Sequence, residues 1–323
     1  MKKKELMSLK QHEMKSEIHG FLSYPDSNNL GDYIQSIAAK ELIDSNAVSL
    51  NREKLNYYRG PFLKLLMNGW FMENSKNWPP SDKIKPLMIS FHINPIAMKN
   101  MLSPMGISYF KKHEPIGCRD LFTQKILSQN GINTYFSGCL TLTLKSKSNK
   151  NKREGILVLG AIDRMKPKLK FKNFLIDIFK FPIKFLEYKK ARKRLNGFIK
   201  NQKDKKVIFK SQEIKSNSYS EKKKFILAQE QLDLISRSRI VITSRIHTAL
   251  PAISLGTKVI FLTDGLDHIN QSSRLDGLSD YFYCCKVKDL TNLTIEEIKP
   301  KKNHNIISKN LKEKVKNFFG GHH

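Results

Sequence analysis

Residues 239–262 read RIVITSRIHTALPAISLGTKVIFL, and this stretch decides the fold class. Its apolar run Ile240–Thr243 predicts a buried strand, and Thr248–Leu255 predicts a short apolar helix. Gly256 stands where a helix commonly ends, and Val259–Leu262 predicts the next strand. A strand, a helix and a second strand in this order are typical of a parallel sheet covered by helices. The stretch therefore predicts an α/β fold.

Polar side chains stand between that strand and that helix. Ser244, Arg245 and His247 supply one hydroxyl and two potential cations. The helix from Thr248 would add free N–H groups and the positive end of its dipole, and a guanidinium can grip an anion with two parallel hydrogen bonds. Arg and His would be costly so near apolar sequence if the turn were purely structural. The turn of residues 244–247, called the corner below, therefore predicts an anion-binding site.

The N-terminal half shows the same alternation of strands and helices. Glu17–Tyr24 predicts a strand and Tyr33–Leu42 a helix, with Asn29 and Asp32 in the polar stretch between them. Lys85–His92 predicts a buried strand that ends in histidine. Loops at the carboxyl ends of such strands are where open α/β sheets bind ligands.

The length of 323 residues suggests two domains. Residues 145–153, rich in Lys, Ser and Asn, are interpreted as the linker. We therefore predict an N-terminal domain over 1–150 and a C-terminal domain over 151–319. The last residues, 320–323, read Gly-Gly-His-His and are interpreted as the remnant of an expression tag.

The overall composition excludes several classes of protein. A hydrophobic content of 40% with 27% charged residues is ordinary for a globular chain and argues against wholesale disorder. No apolar run approaches the length of about 18 residues that a membrane-spanning helix needs. The lysine-rich start lacks the apolar core of a secretory signal, and the four cysteines show no metal-type spacing. These features predict a cytoplasmic protein without a metal site.

The charge balance is unusually positive. Lys and Arg number 58 against 29 Asp and Glu, which gives a net charge of +29. Residues 164–206 alone hold 16 basic residues against three acids. Such a balance favours acidic partners, namely nucleic acid, anionic lipid headgroups or phosphorylated substrates.

The basic segment 164–206 also carries aromatic residues at helical spacing. Phe174, Ile178, Phe181 and Phe185 recur every three or four residues, which places them on one helical face with the lysines largely opposite, and Pro182 would kink or split the helix. This pattern is typical of a helix on an anionic membrane surface. An alternative is an insertion that packs its aromatic face on its own domain. Binding of single-stranded nucleic acid is disfavoured, because aromatic residues among basic ones on strands are missing.

Three sequence blocks resemble the polysaccharide pyruvyltransferase family. Thr243–Ile260, TSRIHTALPAISLGTKVI, is similar to the signature of that family. Asn29–Asp32, NLGD, resembles its opening loop. Pro115–Leu121, PIGCRDL, and Ser137–Leu142, SGCLTL, resemble its middle block.

The resemblance implies a fold and a reaction. The fold would be two Rossmann-like domains facing a central cleft, as in the glycosyltransferase-B architecture. The reaction would transfer pyruvate from phosphoenolpyruvate to two hydroxyls of one sugar and release phosphate, leaving a cyclic pyruvate ketal. The family's basic donor-site residues map onto Arg119, Arg245 and His247 of this sequence. A family histidine that contacts the acceptor is assigned to His92, with His113 as the competitor.

The chemistry of phosphoenolpyruvate fits these residue types. Its carboxylate and phosphate are best clamped by arginines, here Arg119 and Arg245, with Ser244 and the helix start at Thr248 beside them. Protonation of the vinyl carbon needs a general acid, and a histidine near its ordinary pKa of about 6.5 suits that step. We assign His247 to this role, or to protonating the departing phosphate. No metal or other cofactor is required.

The acceptor side is predicted with more alternatives. His92, Asn29, Asp32 and Trp70 are the candidate acceptor-binding residues, with Trp70 either a sugar-stacking platform or a core residue. The base that accepts the hydroxyl protons is His92, Asp32 or Asp264. Three further residues after the last clear strand either complete the site or serve a surface loop: Asp267, His268 and Arg274.

Two other functions remain open from the sequence. A sugar-nucleotide glycosyltransferase could use the same anion site for a diphosphate. A non-enzymatic binder of anionic lipid or RNA could rely on residues 164–206. The favoured hypothesis joins the transferase to the basic segment: a peripheral enzyme at the cytoplasmic face of the membrane, whose sugar acceptor is carried on a lipid diphosphate during capsule or exopolysaccharide synthesis, and which binds no nucleic acid.

Overall fold

The computed structural model describes residues 17–146, 153–167, 174–202, 206–215 and 219–320. Within these ranges the chain forms two parallel β-sheets covered by helices, one in each half of the sequence. The predicted α/β class is therefore confirmed. The arrangement of the halves as Rossmann-like domains about a central cleft, and their division at residue 150, stay predictions.

The first sheet has six strands in the order β2-β1-β3-β4-β5-β6, and every pairing is parallel. They are β1 (Ile18–Ser23), β2 (Val48–Asn51), β3 (Leu63–Phe71), β4 (Ile84–Ile93), β5 (Ile116–Cys118) and β6 (Thr134–Phe136). The central strands β3 and β4 are apolar almost throughout, because helices cover both faces of a parallel sheet.

The helices of this half are α1 (Leu30–Lys40), α2 (Met98–Met101), α3 (Pro104–Lys112) and α4 (Leu121–Gln129). Side-chain caps fix where three of them begin, and at the start of α3 the Ser103 side chain accepts a hydrogen bond from the Gly106 amide. The Asn29 side chain accepts a hydrogen bond from the Gly31 amide at the start of α1, and Asp120 accepts one from the Thr123 amide at the start of α4. Gly131, with φ of 69°, lies two residues after the end of α4, in the left-handed conformation that commonly follows a helix.

The second sheet has five parallel strands in the order β11-β10-β9-β7-β8. They are β7 (Ile156–Leu159), β8 (Val207–Lys210), β9 (Ile240–Thr243), β10 (Lys258–Leu262) and β11 (Tyr283–Cys285). The remaining helices are α5 (Phe174–Lys200), α6 (Glu221–Arg237), α7 (Ile246–Ser254), α8 (Ile269–Ser272) and α9 (Asn305–Phe319). The predicted strand–helix–strand order of residues 239–262 is confirmed as β9, α7 and β10.

Both sheets reverse their strand order at a corresponding point. In the first sheet the reversal falls between β1 and β3, and in the second it falls between β7 and β9. Open α/β sheets leave a crevice at the carboxyl ends of the two strands that flank such a reversal, and ligands bind there. The corner after β9 is therefore at the position in the second sheet where a ligand is expected.

The two halves are packed together by helices. In one core cluster Tyr33 and Ile34 of α1 join Ala228 and Leu232 of α6. The last helix, α9, packs on the first sheet, because Leu311 and Val315 share a core cluster with strand residues of that sheet. The final helix thus returns to the half in which the chain begins.

The basic segment contains α5, a helix that continues through Pro182. Of the two outcomes predicted for that proline, a kink or a split, the split is therefore wrong. Ile178, Phe181 and Phe185 remain more than one third exposed, and the rings of the two phenylalanines stack with centroids 6.1 Å apart. Only the later part of the helix, including Leu195, packs into the core of the second sheet. The alternative in which the aromatic face packs on its own domain is therefore wrong for these three side chains.

Several sequence-based interpretations concern residues that are not described. Residues 147–152 of the predicted linker lie outside the described residues, as do 168–173 and 203–205 of the basic segment and 321–323 of the predicted tag remnant. The side chain of Phe174 is likewise outside the description.

Candidate active site

The corner after β9 is held in place by its own hydroxyl groups. Thr243 donates a hydrogen bond of 2.7 Å to the Leu159 carbonyl and accepts one of 2.9 Å from the Arg245 amide. Ser244 donates one of 2.7 Å to the Gly160 carbonyl. The Ser244 hydroxyl, predicted to bind the donor, thus already makes a bond that joins β9 to β7 across the reversal point.

Thr248 anchors the other side of the corner. Its hydroxyl is buried and donates a hydrogen bond of 2.5 Å to the Gln212 side chain, which in turn donates one of 2.9 Å to Asn29. The side chains of Thr248 and Asn29, predicted to bind donor and acceptor, therefore connect α7, the loop after β8 and the start of α1. These bonds give both residues a positioning role in the structure.

His247 is buried beside the start of α1. Its side chain is 1% exposed, and its Nε2 atom has no hydrogen-bond partner among the described residues. Gly31 allows this approach, because a Cβ atom there would come 2.9 Å from the His247 Cβ and would overlap the Gln212 amide nitrogen. The loop of residues 29–32 is thus adapted to lie against His247.

The electrostatic environment keeps His247 neutral. Burial lowers its pKa well below the ordinary value, and the positive charges of Arg119 and Arg274 lower it further. The sequence led us to expect a histidine near its ordinary pKa. That expectation is wrong, because burial disfavours the charged imidazolium and the same arginines that would attract an anion add to this effect.

Arg119 is a fully buried cation at the carboxyl end of β5. Its side chain is 0% exposed, and none of its three guanidinium nitrogens has a hydrogen-bond partner in the described part of the chain. The nearest carboxylate oxygen, on Asp120, lies 3.4 Å from Nε. A buried charge with so little compensation costs free energy, so this guanidinium is poised to bind an anion.

His92 and Asp120 form a buried pair next to Arg119. The Nδ1–H group of His92 donates a hydrogen bond of 2.7 Å to the Asp120 carboxylate, and both side chains are 0% exposed. This bond holds the proton on Nδ1 and leaves Nε2 as the basic nitrogen; Nε2 has no partner among the residues described. Burial lowers the pKa of His92 to about 4, although the Asp120 charge opposes this.

The pKa of the Asp120 carboxyl is also displaced. Burial alone would raise it, but the charge and hydrogen bond of His92 and the charge of Arg119 together hold it below its ordinary value. His113, the competitor of His92, lies elsewhere. Its ring is tilted by 58° against that of Tyr109 with the centroids 4.6 Å apart, and the charges that act on it are those of Lys112, Asp82 and Lys85. The structure brings His92, and not His113, to the arginines.

Two further arginines, Arg274 and Arg164, lie close to Arg119, His92 and His247. These five residues are called the arginine cluster below. Burial, then the charges of Arg119 and Arg164, lower the pKa of Arg274 to about 9. Burial, then the charge of Arg245, lowers the pKa of Arg164 to about 10, and its guanidinium donates a hydrogen bond of 2.6 Å to Gln271. From the sequence alone, Arg274 is one of several open candidates, and Arg164 is not recognisable as a site residue. Its position after β7, at the reversal point of the second sheet, is the signal that could have found it.

Arg245 differs from Arg119 in having carboxylate partners. Its terminal nitrogen lies 3.0 Å from Glu213 and 3.7 Å from Asp163. Gly160, with φ of 58°, makes room for it, because a Cβ atom there would lie 3.0 Å from the Arg245 Cγ. The charge of Arg245 is thus largely balanced by the protein, and an incoming anion would compete with Glu213 for it.

The other side chains predicted to bind the acceptor already make contacts with residues of the protein itself. Asp32 accepts hydrogen bonds from Ser27 at 2.6 Å and Gln35 at 3.3 Å. Its charge nevertheless acts on Arg274, so it lies near the cluster. Trp70 is half-buried, with the Arg52 guanidinium 5.0 Å from its ring centroid.

A cavity of 370 Å³ lies at the reversal point of the first sheet. It is lined by Tyr24, Asp26, Ser27, Asn51, Arg52, Glu53, Glu73 and Asn74. Arg52 bridges this cavity and Trp70, because it bonds to Glu53 at 2.6 Å and to the Trp70 carbonyl at 2.7 Å. The acidic lining makes the cavity suited to a neutral or amino sugar rather than to an anion.

A much larger cavity, of about 1040 Å³, opens at the carboxyl edge of the second sheet. Its lining includes nine basic and five acidic side chains. The basic ones are Arg164, Lys166, Lys184, Lys190, Arg194, Arg245, Arg274, Lys286 and Lys288. Asp264, a candidate base, also lines this cavity, but its carboxylate accepts a hydrogen bond of 2.8 Å from the Val287 amide. Asp267 lines it as well, whereas His268 is exposed at the start of α8.

Two searches of the described ranges concern metals and membranes. No group of three or more His, Cys, Asp or Glu side chains there could hold a metal ion. No helix there is both long and apolar enough to cross a bilayer.

Together, two parallel sheets and a buried cluster of arginines and histidines define an α/β protein with a positively charged site. Residues 29–264 match the family model for polysaccharide pyruvyl transferase. The chain therefore belongs to the polysaccharide pyruvyl transferase family, and it is a transferase that acts in pyruvyl transfer to polysaccharide. The resemblance seen in the sequence is confirmed.

Searches against individual proteins gave distant likenesses. No curated protein matched the chain. Among solved structures, an uncharacterised protein from Klebsiella pneumoniae is similar with a TM-score of 0.43 and 13% identity, covering 85% of this chain and 93% of the other. The UDP-GlcNAc 2-epimerase of Methanocaldococcus jannaschii, solved with UDP-GlcNAc and UDP, is similar with a TM-score of 0.37 and 12% identity, covering 94% and 100%.

Proposed function

We propose that this enzyme transfers pyruvate from phosphoenolpyruvate to two hydroxyls of one sugar in a lipid-linked polysaccharide precursor, forming a cyclic pyruvate ketal. The observation that carries the proposal is the Arg119 guanidinium, which is fully buried and has no hydrogen-bond partner among the described residues. Arg274 and the two histidines surround it closely enough for their charges to act on one another.

The charge of the cluster matches that of the donor. Phosphoenolpyruvate combines a carboxylate and a phosphate in a very small molecule, so it needs several cations within a short distance. Arg119 and Arg274 supply them, while Arg245 contributes only by releasing Glu213. Arginine also suits the planar, two-pronged contact that both anionic groups favour.

The histidines divide the proton transfers. His247, once protonated, gives its proton to the vinyl CH2 carbon, and C2 becomes electrophilic. His92, held by Asp120 through Nδ1, accepts the proton of the first sugar hydroxyl at Nε2 as that oxygen bonds to C2. Phosphate then leaves, the second hydroxyl closes the ring, and its proton departs with the phosphate.

The protons in this scheme balance. One proton ends in the C–H bond of the new methyl group and one on phosphate, and the enzyme is reset when His92 releases the first hydroxyl proton to solvent and His247 takes one up with the next donor. The scheme involves no metal and no cofactor besides the donor substrate, and this stays a prediction. Treatment with a chelator should leave the activity unchanged.

The acceptor enters from the side of His92. Asn29 and Asp32 are committed to bonds within the protein, so in this proposal they position the loop against His247 rather than bind sugar. The cavity beside Arg52 and Trp70 is the proposed place for a neutral sugar of the acceptor. Because a lipid carrier would present that sugar at a membrane, we place the enzyme at the cytoplasmic face.

The decisive test supplies phosphoenolpyruvate and a panel of galactose, glucose and mannosamine acceptors, free and lipid-linked. Phosphate release accompanied by a mass gain of one pyruvate ketal on a sugar is the expected result. Nucleotide release from a sugar nucleotide, without phosphate release from phosphoenolpyruvate, would instead identify a glycosyltransferase. Arg119→Met should abolish the release, whereas Arg59→Met, which alters an exposed arginine, should leave it unchanged.

A further inference from the structure

The first half of α5 is not packed into the core of the protein. Ala191, Leu195 and Phe198 in its second half are buried in the core of the second sheet. In contrast, every residue from Ile178 to Glu187 is exposed. This stretch makes roughly three helical turns and is about 15 Å long. The chain therefore presents a long helical surface to its surroundings.

The exposed side chains of this stretch are mainly apolar. Six of them are between 37% and 79% exposed and are called the apolar patch: Ile178, Phe179, Phe181, Ile183, Phe185 and Leu186. A helix on the surface of a protein normally buries its apolar side against the core. So dense a group of exposed apolar side chains marks a contact surface rather than scattered surface hydrophobics.

Basic side chains continue the same sides of the helix one to two turns further on. Residues four or seven positions apart lie on one side of a helix. Lys189 and Arg192 therefore follow Phe185 along one side of α5, and the Lys189 ammonium lies 4.7 Å from the ring centroid of Phe185. Lys193 follows Leu186 along another side. These three exposed cations are called the basic patch, and with them the surface of α5 changes from apolar to basic.

One kind of partner matches this order of apolar and basic side chains. A bilayer that contains anionic lipid has negative headgroups over an apolar interior, so it satisfies both patches at once. The apolar patch extends about 12 Å along the helix, which is less than half of the hydrocarbon thickness of about 30 Å and fits a single leaflet. A second copy of the chain would instead bring together two basic patches and two net charges of +29.

We propose that α5 docks the enzyme on an anionic bilayer, with the apolar patch inserted among the acyl chains of one leaflet and the basic patch at the headgroups. The inference deepens the proposed function, on which it rests, by naming the surface through which the enzyme reaches a lipid-linked acceptor. Glu187, Ala191 and Arg194 of the same helix line the large cavity, as do Arg245 and Arg274. Docking through α5 therefore brings this cavity to the headgroup layer, where a lipid-linked sugar is presented.

Co-sedimentation of the full chain with extruded vesicles tests the docking. Vesicles of phosphatidylcholine are compared with vesicles in which about one third of the lipid is phosphatidylglycerol. We expect the anionic vesicles to bind the protein at least about tenfold more tightly, and we expect high salt to weaken this binding. Equal binding to the two kinds of vesicle would overturn the proposal.

Two double variants separate the two patches. Phe179→Ser with Leu186→Ser should weaken binding to anionic vesicles at least about tenfold, because less apolar surface leaves water. Lys189→Ser with Lys193→Ser should also weaken it about tenfold or more, since each cation near an anionic surface adds to the attraction. The second variant should leave the weaker binding to phosphatidylcholine unchanged. All four side chains are exposed, so the variants should fold.

Matched controls use exposed residues of the first half of the chain. Lys111→Ser with Lys125→Ser makes the same change in charge, and Ile96→Ser with Met105→Ser makes a comparable apolar loss. Each control should weaken vesicle binding less than its test pair does. An equal loss in a control and its test pair would overturn the proposal, since it would show non-specific attraction.

Fluorescence quenching tests the insertion itself. Lipids brominated in their acyl chains should quench the tryptophan of Phe179→Trp more strongly than that of Ile96→Trp, because only the first would lie within the leaflet. The native Trp70 and Trp78 contribute equally to both variants. Equal quenching would overturn the insertion of the apolar patch.

Two further measurements distinguish other partners and other failures. Light scattering without lipid should give the same mass for the unaltered protein and for Phe179→Ser with Leu186→Ser; a dimer that this variant dissociates would identify a second copy as the partner and overturn the proposal. Transfer to a lipid-linked acceptor in anionic vesicles should fall in the same variant, while transfer to a free sugar stays unchanged. If a free sugar is modified but anionic vesicles do not bind, only this inference fails. If the vesicles bind but no acceptor is modified, the proposed function fails.

Discussion

The two buried histidines predict that phosphoenolpyruvate binding takes up protons. In the ligand-free protein, burial lowers the pKa of His92 to about 4 and that of His247 well below its ordinary value, so both are neutral at pH 7. Arg119 contributes to both changes because its charge repels an imidazolium. An anion bound to Arg119 cancels that repulsion and adds an attraction of its own.

The size of the effect follows from Coulomb's law. A unit negative charge about 4 Å from an imidazolium stabilises it by about 4 kcal/mol at an effective dielectric of about 20, which raises its pKa by about three. For His92 this returns a pKa of about 4 to about 7, within reach of neutral pH. Binding at pH 7 should therefore take up about half a proton at His92, and protonation of His247 adds to this number.

Calorimetry in several buffers measures this number. The observed enthalpy of phosphoenolpyruvate binding, plotted against the ionisation enthalpies of Pipes, Mops and Tris, has a slope equal to the protons taken up. The phosphate of the ligand can itself release protons among arginines, so the informative quantity is the difference between the unaltered protein and His247→Gln. We expect proton uptake to be lower in the variant than in the unaltered protein.

A defined result would refute this reasoning. If the slope is the same in the unaltered protein and in both His247→Gln and His92→Gln, neither imidazole gains the proton. The general-acid assignment would then be wrong, even if phosphoenolpyruvate bound tightly.

Three further predictions concern single residues. Arg119→Met should raise the free energy of unfolding, measured with urea, by about 1–3 kcal/mol while abolishing transfer, because it removes a poorly compensated buried charge; a loss of stability would show that the guanidinium is well compensated. The unfolded state binds a proton at a histidine below pH 6.5, whereas folded His92 does so only near pH 4, so this group should cost the native state about 3 kcal/mol as the pH falls across that window. The melting temperature of His92→Gln should therefore fall less steeply with acidification, and an unchanged slope would contradict the burial of a neutral imidazole. Gly31→Ala should lower transfer at least about tenfold, because its Cβ would displace Gln212 and His247; full activity would show that the close approach is unimportant.

Local pattern was sufficient to predict the elements that carry the corner. The run Ile240–Thr243 became β9 at the predicted residues, and α7 begins two residues before the predicted Thr248. Apolar spacing and Gly256 act within one strand–helix unit, so the sequence alone specifies them. The same holds for β4, whose apolar run places His92 at its carboxyl end.

Contacts between distant segments could not be read in this way. Glu213 pairs with Arg245 only because the loop after β8 comes beside the corner after β9, and no spacing rule connects the two. The electrostatic state of His247 depends on Arg119 and Arg274, which lie far from it along the chain. Burial and like-charge repulsion are properties of the assembled fold, so a motif identifies the histidine without giving its pKa.

The direction of α5 was also beyond the sequence. Spacing placed Ile178, Phe181 and Phe185 on one face, but it could not say whether that face turned to the protein or to solvent. The burial of Leu195 in the core decides it. A helical period fixes which residues share a face, and only tertiary packing fixes where the face points.

Because both histidines are neutral before the substrate binds, the proposed active site avoids the electrostatic repulsion of additional positive charges. An enzyme whose general acid were charged at rest would hold four or more positive groups together, at a high electrostatic cost and without a substrate. Here burial, reinforced by the charges of Arg119 and Arg274, suppresses protonation of His247, and an anion that neutralises the arginines removes their part of this effect. In the proposed mechanism the substrate thus creates the acid that activates it, because its own charge restores the proton affinity of His247. Arg245, already balanced by Glu213, adds little to this coupling. Its loss should therefore weaken donor binding while leaving the proton uptake per bound donor nearly unchanged, whereas loss of Arg119 should remove both.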